Sequence, residues 1–454
     1  MKLVRRAVPA LFGFLCVLLA PRIAEAKYFH FCFYWHTLTA DNSASIDHLK
    51  DEPLGLQAAG AFPLDHAASG VRYSFGTVPQ QVPVPVGHAD QNGCVNFQTS
   101  STSIYVNLYA EQVLQLANGE TVTVRTFPNS AMYNAWSSAQ TDWRKIPKWI
   151  FLLNASDYQG CGASQNTPCA VDLKPTTLFS ETSNIQATAT WTLKRLTSLV
   201  APAGFQFPTS QLNILGEDCP MYPGNSCAGD PLNIAETGCE SQNPPYACHA
   251  RYKFVIGHEV GHWFHARYAS LLPDGYGDTG PNGLNEFDAC WSAAAAGLHT
   301  HLLFSREYDG AAYNEGFAHF LSTLAFNDTS GDGHFDYYKD GTGVYAGANL
   351  QTLKASHSTP DILDDIDPGG VMCNVCGDQS DRGVEYDWLA FYWAYYATGN
   401  SSDQPTFAEI LAHTRDASNS DQANAYDKFT TTVQAAHADR WATLSAQFGV
   451  NKCE

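Results

Sequence analysis

The sequence predicts an α+β protein, a β-rich N-terminal module followed by a mainly α-helical domain. From Lys27 to about Pro175 the apolar residues fall in short alternating runs rich in aromatic and β-branched side chains, the period of half-buried strands. After about Thr176 they recur at helical spacing, with glycine or proline punctuating the runs. Length points the same way. Roughly 430 residues beyond the N-terminal segment are more than one core usually holds, so two domains are expected, 27–175 and 176–454.

Residues 1–26 read as a secretory signal. Lys2, Arg5 and Arg6 form a basic start, Leu11 to Ala20 an apolar run, and Ala24-Glu25-Ala26 a small-residue cleavage site. Its loss removes four basic residues and one acidic residue, taking the formal net charge from −20 to −23. A surface that acidic repels a phosphate backbone, so nucleic acid is not an expected partner. The apolar run is short for a transmembrane helix and no later stretch is long enough, so no integral membrane segment is expected in the mature chain. Of thirteen cysteines, Cys16 falls in the signal, which leaves an even set in an oxidising compartment. Disulfides are therefore expected, including one for Cys373-Asn-Val-Cys376, and the product is expected outside the cell.

In chain order, strands are expected at Tyr28 to Trp35, Ser103 to Tyr109, Thr121 to Phe127 and Trp149 to Leu153, with Asn118-Gly119 as a hairpin turn. Val78 to Gly87 carries three prolines and is read as an exposed extended connection or sheet edge. His30, His36, His48, His66 and His88 are scattered without metal-ligand spacing and are read as surface or core histidines. The second part is expected to run from a helix at Ser183 to Leu199, through a strand at Gln211 to Leu215, to a cysteine-rich loop at Cys219 to Cys248. Helices are expected over 252–268, 309–326, 384–397, 405–417 and much of 421–448.

The chemistry concentrates in His258-Glu259-Val260-Gly261-His262. Residues four apart on a helix lie one above the other, so the two imidazoles can reach one ion. Ile256, Val260, Trp263 and Phe264 give that helix a buried stripe. Gly257 and Gly261 each cost about 1 kcal/mol in a helix interior against alanine, which a close approach by a sheet or a neighbouring helix would offset. A carboxylate at Glu315, on the next helix with Tyr313, Phe317, Phe320, Leu321 and Leu324 as its buried stripe, would complete two nitrogens and one oxygen around zinc and leave a fourth position for water.

His-Glu-Val-Gly-His followed by Asn314-Glu315-Gly316-Phe317-Ala318 resembles the gluzincin metallopeptidases, the thermolysin and aminopeptidase N-like superfamily. The resemblance implies a zincin-like catalytic domain with His258, His262 and Glu315 as zinc ligands and Glu259 as general base. It covers about residues 180 to 330 and departs from the family in two respects. The interval between the motifs is long, which makes Leu271 to Phe304 an insertion or lid, and no Gly-x-Met-Glu-Asn stretch precedes the first helix. The metal site is therefore implied, and aminopeptidase specificity is not.

Four further positions bear on the site. His265, seven residues after His258 on the same face, is read as packing or as support behind the ligands, because metzincins place their third histidine farther along, at a position held here by Tyr268. His319 could orient Glu315 or a histidine ligand from behind, or equally be a buried spacer, and Asn314 is a similar candidate. Tyr386 is taken as the donor to the developing oxyanion, with His334 and His357 as rivals and aromatic core as the plainer reading. Asp328, Ser330, Asp332 and Asp336 are spaced like a calcium loop with Gly333 in sixth place. Lys339 stands where a bidentate glutamate belongs, so Ca2+ is secondary to an ordinary acidic turn.

These readings combine into a secreted Zn2+-dependent peptidase acting on peptide or protein substrates, with Glu259 assisting water. The alternative is a zincin-like fold without activity that serves as a binding or surface-interaction protein.

Overall fold

The structure is a computed structural model, and the residues it describes are 26–36, 65–77, 86–117, 119–139, 142–154, 157, 160–175, 180–200, 211–220, 226–236, 249–251, 253–269, 309–326, 373–374, 382–383, 385–397, 403–418 and 425–451. Strands dominate the first part: β1 (Lys27–His36), β2 (Asp65–Ala67), β3 (Val71–Gly76), β4 (Val86–His88), β5 (Cys94–Thr99), β6 (Ser103–Gln115) and β7 (Thr121–Phe127). Helix α1 (Ser130–Ser138) follows, then β8 (Lys148–Asn154) and β9 (Cys169–Leu173). Next come α2 (Ser180–Val200), β10 (Gln211–Leu215), β11 (Leu232–Asn233), α3 (Lys253–Ala269) and α4 (Asp309–Phe326). The short pair β12 (Cys373–Asn374) and β13 (Arg382–Gly383) leads to α5 (Glu385–Ala397), α6 (Phe407–Ser418), α7 (Ala425–Ala436) and α8 (Ala438–Gln447).

In one sheet β1 has β5 antiparallel and β9 parallel beside it, and its C-terminal end pairs with β2. Cys32 and Cys94, register partners on β1 and β5, form a disulfide; Cys161–Cys169 and Cys219–Cys227 form two more. The second sheet runs β11-β10-β7-β6-β3-β4, with β8 also paired to β6. Phe31, Phe33, Trp35, Phe75, Val106 and Leu108 belong to one buried cluster built on both sheets. The β6–β7 hairpin turns at Gly119, where φ is 86°, a backbone state that glycine adopts without steric cost. β4, at the end of the proline-rich stretch, is an end strand of its sheet among the described residues; 78–85 lie outside them.

Strands β2, β3, β5 and β9 and helix α1 are absent from the sequence reading. Helix α1 starts at Asn129, whose side chain accepts from the Met132 N–H at 3.0 Å. Tyr133 and Trp136 then pack on Phe127 at the end of β7.

Helix α2 joins the strand-rich and helix-rich parts. Ala187 belongs to the sheet core, whereas Ile185, Ala189 and Leu193 belong to the helical core together with Leu114, Val122 and Val124. Gln186 carries a buried polar seam across this junction, donating to Gln112 Oε1 at 3.0 Å and accepting from Thr126 Oγ1 at 2.7 Å. β10 pairs parallel to β7, so the second sheet draws strands from both sides of residue 175.

Every buried-stripe residue expected on α3 is buried: Ile256, Val260, Trp263 and Phe264. The glycines of α3 face α4. A Cβ on Gly257 would lie 2.7 Å from Phe326 and 2.8 Å from Ser322 Oγ, and one on Gly261 would lie 3.2 Å from the Ala318 carbonyl oxygen. Their absence lets the two helix backbones close up, and Ser322 Oγ donates to the Phe254 carbonyl at 2.8 Å. On the other side of α4, Tyr313, Phe317 and Phe320 pack against Trp388 and Tyr392 of α5. The C-terminal end of α5 is held by Arg440 of α8, which donates to the carbonyls of Ala394 and Tyr395 at 2.6 and 2.8 Å.

Candidate metal centre

The close α3–α4 approach sets the site. His258 and His262 stand one turn apart on α3, and Glu315 projects from the facing side of α4. His262 Nε2 lies 3.0 Å from His258 Nε2, and each of these nitrogens lies 2.9 Å from Glu315 Oε2. The three residues are buried, and together they form a group able to hold a metal ion.

The donor set and spacing fit a small divalent cation. Ligand atoms bound tetrahedrally at about 2.0–2.1 Å sit about 3.3 Å apart, so an ion fits with an outward shift of a few tenths of an ångström. Glu315 is 2% exposed, and a cation between it and two imidazoles would compensate the cost of burying its charge. Burial first, then the neighbouring His319 and His262, hold the His258 pKa down at about 3 against the opposing pull of Glu315. Its ring is therefore a neutral nitrogen donor at ordinary pH.

The other expected residues divide. Glu259 follows His258 on α3 and is buried, as is Asn314 beside Glu315. His265 stands apart from the three-residue group, packed edge-on against Phe317, and burial takes its pKa down to about 3. Tyr386 is 2% exposed in the helical core. One residue earlier, Glu385 places its Oε2 2.7 Å from His319 Nε2. His319 in turn places Nδ1 3.1 Å from His258 Nδ1.

Glu385 is the residue that sequence reasoning missed. Its only local signal is that it and Asp387 are acidic residues in the first turn of a helix otherwise built of apolar and aromatic side chains. The 328–339 loop, His334, His357, Cys376 and the 271–304 segment lie outside the described residues. His30, Cys32 and Cys94 also cluster, but both sulfurs are committed to the disulfide. Among the described residues no helix is long and apolar enough to cross a membrane.

Comparison with protein-family models, curated proteins and solved structures found no match to this chain.

Proposed function

We propose that the protein is a secreted zinc metallopeptidase of the gluzincin kind, its zincin-like catalytic domain built around α3, α4 and α5. The observation that carries this reading is the convergence of His258 Nε2, His262 Nε2 and Glu315 Oε2 at 2.9–3.0 Å from two facing helices. Two imidazoles and one carboxylate are a catalytic donor set with a position left open; structural zinc sites take four protein ligands, commonly with cysteine. Three disulfides among the described residues support an oxidising, extracellular setting.

Zinc bound there supplies Lewis acidity, bringing the pKa of a water toward about 7 and polarising a carbonyl. Glu259 takes the proton as water attacks the peptide carbonyl and passes it to the leaving amine. Tyr386 is the proposed donor to the oxyanion: burial and the nearby Asp387 push its pKa up, so its hydroxyl keeps the proton it would donate.

The test is hydrolysis of an unbiased peptide library by the zinc-loaded protein and by Glu259→Gln, with zinc quantified in both. The proposal expects equal zinc and cleavage by the unmodified protein alone. Equal zinc with cleavage by neither would replace it with the binding-protein reading.

A further inference from the structure

Behind His258 the structure holds a second imidazole and a second carboxylate in series. His258 Nδ1 and His319 Nδ1 are 3.1 Å apart, and His319 Nε2 is 2.7 Å from Glu385 Oε2. The two rings are 4.2 Å apart, and all three residues are buried, Glu385 completely.

The proton positions along this chain follow from hydrogen-bond chemistry. An ionised carboxylate only accepts, so His319 must carry its proton on Nε2 to meet Glu385. On a neutral ring, His319 Nδ1 is then a lone pair. The hydrogen bond across the 3.1 Å gap must come from a proton on His258 Nδ1. That leaves His258 Nε2 with its lone pair toward Glu315 Oε2 and His262 Nε2, the state a metal requires. The opposite tautomer of His258 would leave two lone pairs facing each other across Nδ1–Nδ1 and turn an N–H into the metal position.

We propose that Glu385, acting through His319, is a positioning residue that fixes the tautomer and ring plane of His258 for metal binding. This rests on reading His258, His262 and Glu315 as a metal centre. The packing is arranged for it. Gly316 on α4 has no Cβ to meet the Glu385 carbonyl oxygen, which would be 2.8 Å away, and this brings the start of α5 against His319. A carboxylate buried completely at that point needs partners in the folded state, and His319 is one.

The test measures binding of Co2+ alone to the metal-free full chain, by titration and by the ligand-field absorption of the complex. His319→Gln and His319→Met place side chains of similar size at the position. Glutamine can accept from His258 Nδ1–H while donating to Glu385; methionine has no donor for Glu385 and its sulfur is only a weak acceptor. The expected results are Co2+ affinity within about threefold of the unmodified protein for His319→Gln, and about 10–100-fold weaker binding with an altered absorption band for His319→Met and for Glu385→Leu. The double variant His319→Met with Glu385→Leu is expected to bind no more weakly than the poorer single variant, because the two act in series. Urea midpoints of the metal-free proteins identify the folded variants. Equal affinity and spectra for the glutamine and methionine variants, or an unchanged Glu385→Leu, overturn the proposal and reduce the pair to a strut between α4 and α5. His262→Ala separates the two levels of inference. If it abolishes Co2+ binding while the His319 variants match the unmodified protein, only the positioning role fails. If the unmodified protein itself binds no Co2+, both fail.

Discussion

Gly316 of α4 lies directly against Trp388 of α5: a Cβ at Gly316 would overlap the Trp388 Cβ and sit 2.8 Å from the Glu385 carbonyl oxygen. These obstacles are main chain or its first side-chain atom, so neither can swing aside. Gly316→Ala is expected to lower stability by about 1–3 kcal/mol through overpacking, despite the gain of up to about 1 kcal/mol in helix propensity. Urea denaturation of the metal-free protein measures it. Unchanged or increased stability would mean that the α4–α5 contact yields easily.

Replacing a converging ligand should empty the site while leaving the fold. His262→Ala and Glu315→Ala are each expected to lose stoichiometric zinc, whereas Glu259→Gln keeps it, because Glu259 is outside the converging group. Metal analysis after dialysis checks this, with circular dichroism as the control for folding. Retention of zinc by His262→Ala would place the ion elsewhere.

Among the strands, Glu111 makes a separate prediction about pH. It receives hydrogen bonds from Arg72 and from Arg125, the latter at 2.5 Å, while itself 1% exposed. Burial raises its pKa, but His88, Arg125 and Arg72 together outweigh this and bring it from 4.5 down to about 2. A carboxylate with a depressed folded-state pKa stabilises the protein above its unfolded-state pKa, and that contribution fades as pH falls through the folded-state value. Glu111 is therefore expected to contribute up to roughly 3 kcal/mol at neutral pH, lost between about pH 4.5 and 2. Denaturation of Glu111→Gln at pH 7 and through that range should show lower stability at pH 7 and a smaller loss on acidification. Parallel curves for the two proteins would contradict the assignment.

The fold was legible where one period dominates. β1, β6, β7 and β8 match alternating runs, and α4 coincides with the helix expected at 309–326. Helix α1 escaped because it is a short helix set between strands, held by one Asn129 cap and two aromatic contacts. At the site, His258 and His262 could be paired from sequence because helical geometry is local. Glu385 could not: it meets His319 across 66 residues, through a helix approach that depends on Gly316. Nothing local marks it either, since a glutamate at a helix start has an ordinary role.

The most direct test of the metal centre is X-ray absorption at the zinc edge of the protein loaded with one equivalent. The account predicts nitrogen and oxygen neighbours at about 2.0–2.1 Å, with the scattering pattern of two imidazoles and no sulfur. A sulfur shell near about 2.3 Å, or failure to retain the zinc at all, would contradict it.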